Sequence, residues 1–313
     1  MILPCPENLR AYDRFPLTIT LAVLNIFIFI LIFDGTSSYY GSSRLLSEDG
    51  LSLTGRLYFQ YLKEQSPQEL YSKPSWVHEM KPHDPEHLVV LGSYALRDAK
   101  FVEAGEGMKF WGDEVQIATW KKDFAEFRKL YREQMLYRFG LSSLATGPFS
   151  WLTYQFSHSS WMHLFSNLVF LIVMGAAVES LVGSGMLLFI YVLGGVAGGA
   201  GFLLSQFHGT VPMVGASASI SALLAFYCLA ETRKRVRYFF VAPPMMGQDG
   251  FIYLPTLLIL PLFLLVDLAS FWSTPEGLGS GVAYAAHLGG TVFGLLAGAV
   301  YRLRPQPQTH SAN

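Results

Sequence analysis

Residues 158–179 read HSSWMHLFSNLVFLIVMGAAVE. Polar side chains crowd one end, a glutamate closes the other, and from Trp161 to Val178 nothing is charged apart from a histidine. That run is about as long as a helix must be to cross a hydrocarbon core of roughly 30 Å. Imidazole and carboxamide groups at membrane depth are costly and need partners, so His163 and Asn167 mark a candidate functional layer.

Five further runs share this character: Pro16–Phe33, Leu187–Gln206, Val211–Ala230, Phe251–Val266 and Gly281–Tyr301. Half of the chain is hydrophobic (51%) and only 14% is charged, which places it among membrane proteins. Six spanning helices are expected, giving an all-α polytopic bundle. Pro16–Phe33 is expected to be retained, because Asp34-Gly35 follows it directly and no small-residue cleavage pattern does. Arg10 and Arg14, the cluster Arg233, Lys234, Arg235 and Arg237, and Arg302 with Arg304 all fall on one side of such a bundle. The positive-inside bias makes that side cytoplasmic, with both termini there. In a bacterium this would be the inner (plasma) membrane. The Arg233–Arg237 cluster reads as a topology signal, with anionic lipid head groups as the alternative. A net charge of −1 averages the two sides and says nothing of partners.

The organisation expected is a cytoplasmic segment 1–15, a first transmembrane helix 16–33, an extracytoplasmic inserted domain 34–147, a five-helix core 148–301 and a cytoplasmic tail 302–313. The inserted stretch is charged and has no spanning run. Helices are expected over Leu53–Leu62 and Ile117–Phe139, the latter with Trp120, Phe124, Phe127, Leu130, Tyr131 and Met135 on one face and Gly140 as its cap. That face suits a domain core or a bilayer surface. His78, His83 and His87 lie around Pro82 and Pro85, which break a common helix, and no cysteine is near; they read as a solvated loop and not a metal site. Cys5 and Cys228 suggest no disulfide. The chain has no phosphate-binding glycine loop and no nucleic-acid module.

Depth and facing then converge. With the N-terminus inside, the second, fourth and sixth spans enter from the outer face. His163 and Asn167, Ser217 in GAS217A, and His287 in AH287LGG all fall in first turns, roughly 5–10 Å below the surface. His287 shares a stripe with Gly290, Gly294 and Gly298; Ser217, Ser221 and Ala225 form a small stripe that could face it. A lone membrane serine commonly bonds its own backbone. A serine, two histidines and an asparagine at one depth form instead a nucleophile, a base and polar donors.

These residues resemble the rhomboid family of intramembrane serine proteases. His158, His163 and Asn167 match its His-x4-His-x3-Asn pattern, and Gly175 and Glu179 match the Gly and Glu that follow. Gly215-Ala-Ser217-Ala218 matches Gly-x-Ser-Gly/Ala, and Ala286-His287 with Gly290 and Gly294 matches Ala-His-x2-Gly-x3-Gly. The resemblance covers Pro148–Tyr301 and the first span. It departs at Phe149-Ser150, where many relatives carry Trp-Arg, and at Ser221, where some carry an aromatic residue against the base. It implies Ser217 as nucleophile, His287 as base, an oxyanion hole from His163, Asn167 and the Ser217 amide, and supporting roles for Gly215, His158, Gly290 and Gly294. It implies transmembrane protein substrates within a lipid bilayer, no nucleic acid, and neither metal nor organic cofactor. Two other readings are an inactive relative that binds or escorts membrane proteins, which would not need both Ser217 and His287, and a transporter, which would need ionisable groups reaching both faces.

Overall fold

Pro16 opens α1 (Pro16–Ile32), at a position where its missing N–H forfeits no helical bond. No side chain of its own N-cap serves this helix end. The computed structural model describes residues 2–4, 15–33, 44–133, 135–142, 147–205, 212–232, 235–240, 251–255, 260–261, 264–265, 268–269 and 284–303.

Seven helices follow α1 among the described residues: α2 (Glu48–Lys63), α3 (Pro67–Tyr71), α4 (Ser75–Glu79), α5 (Pro85–Ala95), α6 (Ala99–Ala104), α7 (Glu114–Glu133) and α8 (Met135–Phe139). Ser47, Ser66, Asp84 and Asp98 accept N–H bonds at four of their starts. Tyr58, Leu91, Phe101 and Phe124 lie in a core that these helices share, apart from the membrane bundle. At its edge Asp98 accepts from Lys73 Nζ at 2.6 Å and from the Tyr58 hydroxyl at 2.5 Å. Burial, reinforced by Asp98, drives the Tyr58 hydroxyl far above its usual pKa, so it stays a donor.

The expected aromatic helix begins earlier, at Glu114, and continues as α8. Trp120, Phe124 and Phe127 are buried in the domain core. Met135 is half-buried, and the side chains of Leu130 and Tyr131 lie outside the described residues. The expected histidine loop needs correction. His78 is in α4 and His87 in α5. Pro85 starts a helix capped by Asp84, so the histidines share no common helix, as the prolines imply, and His87 Nδ1 accepts from the Lys81 amide at 3.1 Å.

The remaining helices form the bundle. They are α9 (Ser150–Thr153), α10 (Trp161–Ser205), α11 (Ser217–Ala230) and α12 (Tyr284–Leu303), with a 3-10 turn at Tyr154–Phe156. Gly183, at φ 80° and ψ 167°, breaks α10 into two runs, which correspond to the second and third expected spans. Among the described residues α10 and α12 are long and apolar enough to cross a membrane; α1 and α11 are shorter apolar helices. The fifth expected span, Phe251–Val266, opens differently. Phe251–Pro255 is a strand, β3, paired antiparallel with β2 (Arg235–Phe240), which pairs in turn with β1 (Ile2–Pro4). A short apolar run of aromatic and β-branched residues does not reveal whether it is helix or strand. Residues 256–259, 262–263 and 266 of that expected span lie outside the described residues.

Helix α11 sits at the centre, buried from Ala218 to Cys228. Glycines let its neighbours close in. A Cβ on Gly290 would stand 2.1 Å from the Ala218 carbonyl oxygen, and one on Gly294 would stand 2.2 Å from that of Ala222. The contact with α10 is equally tight, since a Cβ on Gly198 would meet the Ala218 methyl at 2.4 Å and the Ala286 carbonyl oxygen of α12 at 2.8 Å. The backbone of α12 thus rides over the Ala218 and Ala222 carbonyls, and of the expected stripe Ser217, Ser221 and Ala225, Ser217 meets α12 at His287. Ser221 instead returns its hydroxyl to the Ser217 carbonyl at 2.8 Å.

At the other end of the bundle, Glu179 supplies the cap that α1 lacks. Its carboxylate accepts from the Leu17 amide at 3.0 Å and the Thr18 amide at 2.8 Å. It also accepts from the Thr18 hydroxyl at 2.7 Å and the Ser184 hydroxyl at 2.6 Å. Glu179→Ala is expected to lower the stability of the purified protein by about 2–3 kcal/mol, because it strands buried N–H donors. Glu179→Gln retains one acceptor and should lose less. Thermal unfolding in detergent, following intrinsic fluorescence, measures both.

Candidate active site

The chain turns sharply just before α11. Gly215 has φ +118°, a conformation that disfavours any side chain. Its N–H donates to the Tyr154 carbonyl at 2.9 Å, which ties the turn to the segment before α10. Ser217 is thus the first residue of α11. Its amide lies among the helix-start N–H groups that have no acceptor within the helix.

His287 sits in the first turn of α12, and its Nε2 lies 2.9 Å from Ser217 Oγ. This is hydrogen-bonding distance for a base and the hydroxyl it could deprotonate. The close packing at Gly290 and Gly294 sets the separation. Tyr284, one turn earlier on α12, stands edge-on to the imidazole with ring centres 6.3 Å apart. It contacts the ring in a structure where position 221 offers only a serine.

His163 and Asn167 approach from α10. A Cβ on Gly215 would lie 2.8 Å from both Cε1 and Nε2 of His163, and 3.9 Å from Asn167 Nδ2. The donor edges of both side chains therefore converge on the turn that carries Ser217. Asn167 Nδ2 also donates to the His163 carbonyl at 2.8 Å, which fixes the carboxamide. The other ring nitrogen of His163, Nδ1, is 3.1 Å from Ser159 Oγ, and the His163 amide donates to Ser160 Oγ at 3.2 Å. His158 is fully buried, with its ring edge-on to His163 at 5.1 Å. So the structure brings Ser217, His287, His163, Asn167 and Gly215 into one site. Gly290 and Gly294 lie beneath it at the helix contact, and His158 lies behind it.

A family model described as "Rhomboid domain" matches residues 145–304. The chain belongs to the rhomboid family. It is accordingly an integral membrane protein. Rhomboid-related protein 3 of Homo sapiens is 27% identical over 184 residues, covering 59% of this chain and 41% of that protein. Rhomboid protease GlpG of Klebsiella pneumoniae is 33% identical over 154 residues, covering 49% of this chain and 48% of the relative. The chain thus spans less than half the length of these relatives.

Some residues around the site escaped the sequence reading. Gln155 is fully buried; its Nε2 donates to the Trp151 carbonyl at 2.9 Å and its Oε1 accepts from Ser219 Oγ at 3.1 Å. It links the segment before the site to the first turn of α11. Tyr154 donates its hydroxyl to the Gly195 carbonyl at 2.5 Å while its own carbonyl holds Gly215. The only sequence signal for either was a polar group beside an apolar span. Ser159 and Tyr284 gave none.

The turn before Ser217 can be tested without any assay of chemistry. Gly215→Ala forces an unfavourable φ and pushes a methyl into the His163 ring, so it should cost about 1–3 kcal/mol. Gly147→Ala meets nothing within 4 Å and should leave the unfolding temperature unchanged.

Proposed function

We propose that this rhomboid-family protein is an intramembrane serine endopeptidase that uses Ser217 and His287 as a dyad. The observation that carries the proposal is the 2.9 Å contact between Ser217 Oγ and His287 Nε2. The Klebsiella relative, rhomboid protease GlpG, agrees with it by name.

In this reading His287 takes the Ser217 proton as Oγ attacks a peptide carbonyl. The imidazolium then gives that proton to the leaving amine, leaving an acyl-enzyme that water hydrolyses by the same route. Charge develops on the carbonyl oxygen near Gly215, where His163 Nε2, Asn167 Nδ2 and the Ser217 amide serve as donors. Each such donor is typically worth about 3 kcal/mol in the barrier. His287 needs no carboxylate here, because α12 is locked against α11 and Tyr284 contacts the ring.

The substrates in this reading are membrane proteins. Peptide bonds in an intact membrane helix are shielded, so the segment that is cut must unwind to present its carbonyl. The bundle would have six spans, with both termini cytoplasmic and residues 34–147 outside. Among the described residues the helices between Arg44 and Phe139 contribute none to the site; in this reading they modulate substrate access, with stabilisation of the bundle as the alternative. The second reading is an inactive relative that binds or escorts membrane proteins. The contact between nucleophile and base weighs against it, because a binding role does not require that geometry.

The test is proteolysis of a generic transmembrane substrate by the purified protein in detergent. Wild type should cleave. Ser217→Ala and His287→Ala should each lose about ten-thousandfold in kcat while still inserting and remaining monodisperse. No turnover by folded wild type would overturn the proposal in favour of the second reading; substantial turnover by Ser217→Ala would overturn the dyad assignment.

A further inference from the structure

We propose that Ser159 is a positioning residue that sets which nitrogen of His163 carries the proton. The functional consequence rests on the reading above; the tautomer itself does not.

A neutral imidazole has one N–H and one bare lone pair, and the partner of one nitrogen decides the state of the other. The two nitrogens of His163 lie in different surroundings. Nε2 is at the edge facing the Gly215 turn, so close that a Cβ on Gly215 would lie 2.8 Å from it. Nδ1 is 3.1 Å from Ser159 Oγ. A serine hydroxyl either donates or accepts. If Ser159 donates to Nδ1, the proton sits on Nε2 and is directed at the turn that carries Ser217. If it accepts, Nε2 presents a lone pair where negative charge would develop. The first arrangement makes His163 a donor to an oxyanion, and the second makes it repel one.

The local backbone holds Ser159 to this task. It lies one residue before Ser160, whose Oγ accepts from the His163 amide at 3.2 Å at the start of α10. The His163 carbonyl is held in turn by Asn167 Nδ2 at 2.8 Å. Ring, backbone and the Asn167 carboxamide are therefore fixed together, and the Ser159 hydroxyl is left to choose the tautomer. The side chain is exposed, so removing its oxygen opens no cavity in the bundle. The assignment treats Ser159 as acting through His163 and touching no substrate.

The experiment is ¹⁵N NMR of the full chain in detergent with ¹⁵N-labelled histidine, in which the His163 signals are identified by their loss in His163→Asn. In wild type Nε2 should show a protonated shift and Nδ1 an imine-type shift. Ser159→Ala should move the two toward each other as both tautomers populate, and Ser159→Thr should restore the wild-type pattern. Cleavage by the same proteins gives the second readout. Ser159→Ala should lower kcat about three- to tenfold with KM unchanged, as expected for loss of one neutral hydrogen bond's influence, and Ser159→Thr should recover it. An unchanged His163 spectrum in Ser159→Ala overturns the proposal, whatever the rate does. A spectrum that shifts while wild type shows no Ser217-dependent cleavage supports the tautomer assignment and defeats only the protease reading.

Discussion

The approach of α12 to α11 decides whether a serine and a histidine separated by 70 residues in sequence can meet. Two helices with ordinary side chains between them would hold their axes about 8–10 Å apart. Here the Gly290 and Gly294 Cα atoms ride over the carbonyls of Ala218 and Ala222, with no room for a methyl group. The Ala218 and Ala222 methyls press into Gly198 and Gly194 of α10. Helix α11 is thus held closely by both α10 and α12 over its first two turns, next to the reactive end. In hydrocarbon, where apolar surface gives no preference for protein over lipid, this close packing supplies most of the force between helices.

Much of this was legible because a membrane restricts what a sequence can mean. Polar residues at membrane depth stand out against a uniform background, so Ser217, His287, His163 and Asn167 could be picked out and placed in one layer. The glycine stripe on α12 was equally readable. Its partner stripe meets it at Ser217, whose hydroxyl reaches His287. Ser221 spends its hydroxyl on the backbone, and the closest approach is to the Ala218 and Ala222 carbonyls, which side-chain size does not reveal.

Other features were hidden for physical reasons. Gln155 and Ser159 lie in short irregular segments, where no periodicity says which way a side chain points. Phe251–Pro255 is apolar enough for a span, yet its preference for a strand is realised only through a partner at Arg235–Phe240, distant in kind from any local signal. Pro82 and Pro85 do keep His78 and His87 out of a common helix, yet Pro85 also begins one, because it sits one residue after a cap that Asp84 supplies.

The Glu179 carboxylate also orders events in time. Helix α1 emerges from the ribosome with N–H groups at Leu17 and Thr18 that have no acceptor, and the acceptor is encoded 161 residues later. At roughly 5–20 residues per second, α1 waits on the order of ten to thirty seconds for its cap. During that interval every helix between Arg44 and Phe139 is already synthesised. The first helix must therefore keep its uncapped end solvated until Glu179 has been made. Its cap arrives after the whole Arg44–Phe139 region and before α11 and α12, so α1 and α10 can pair before the reactive helices exist.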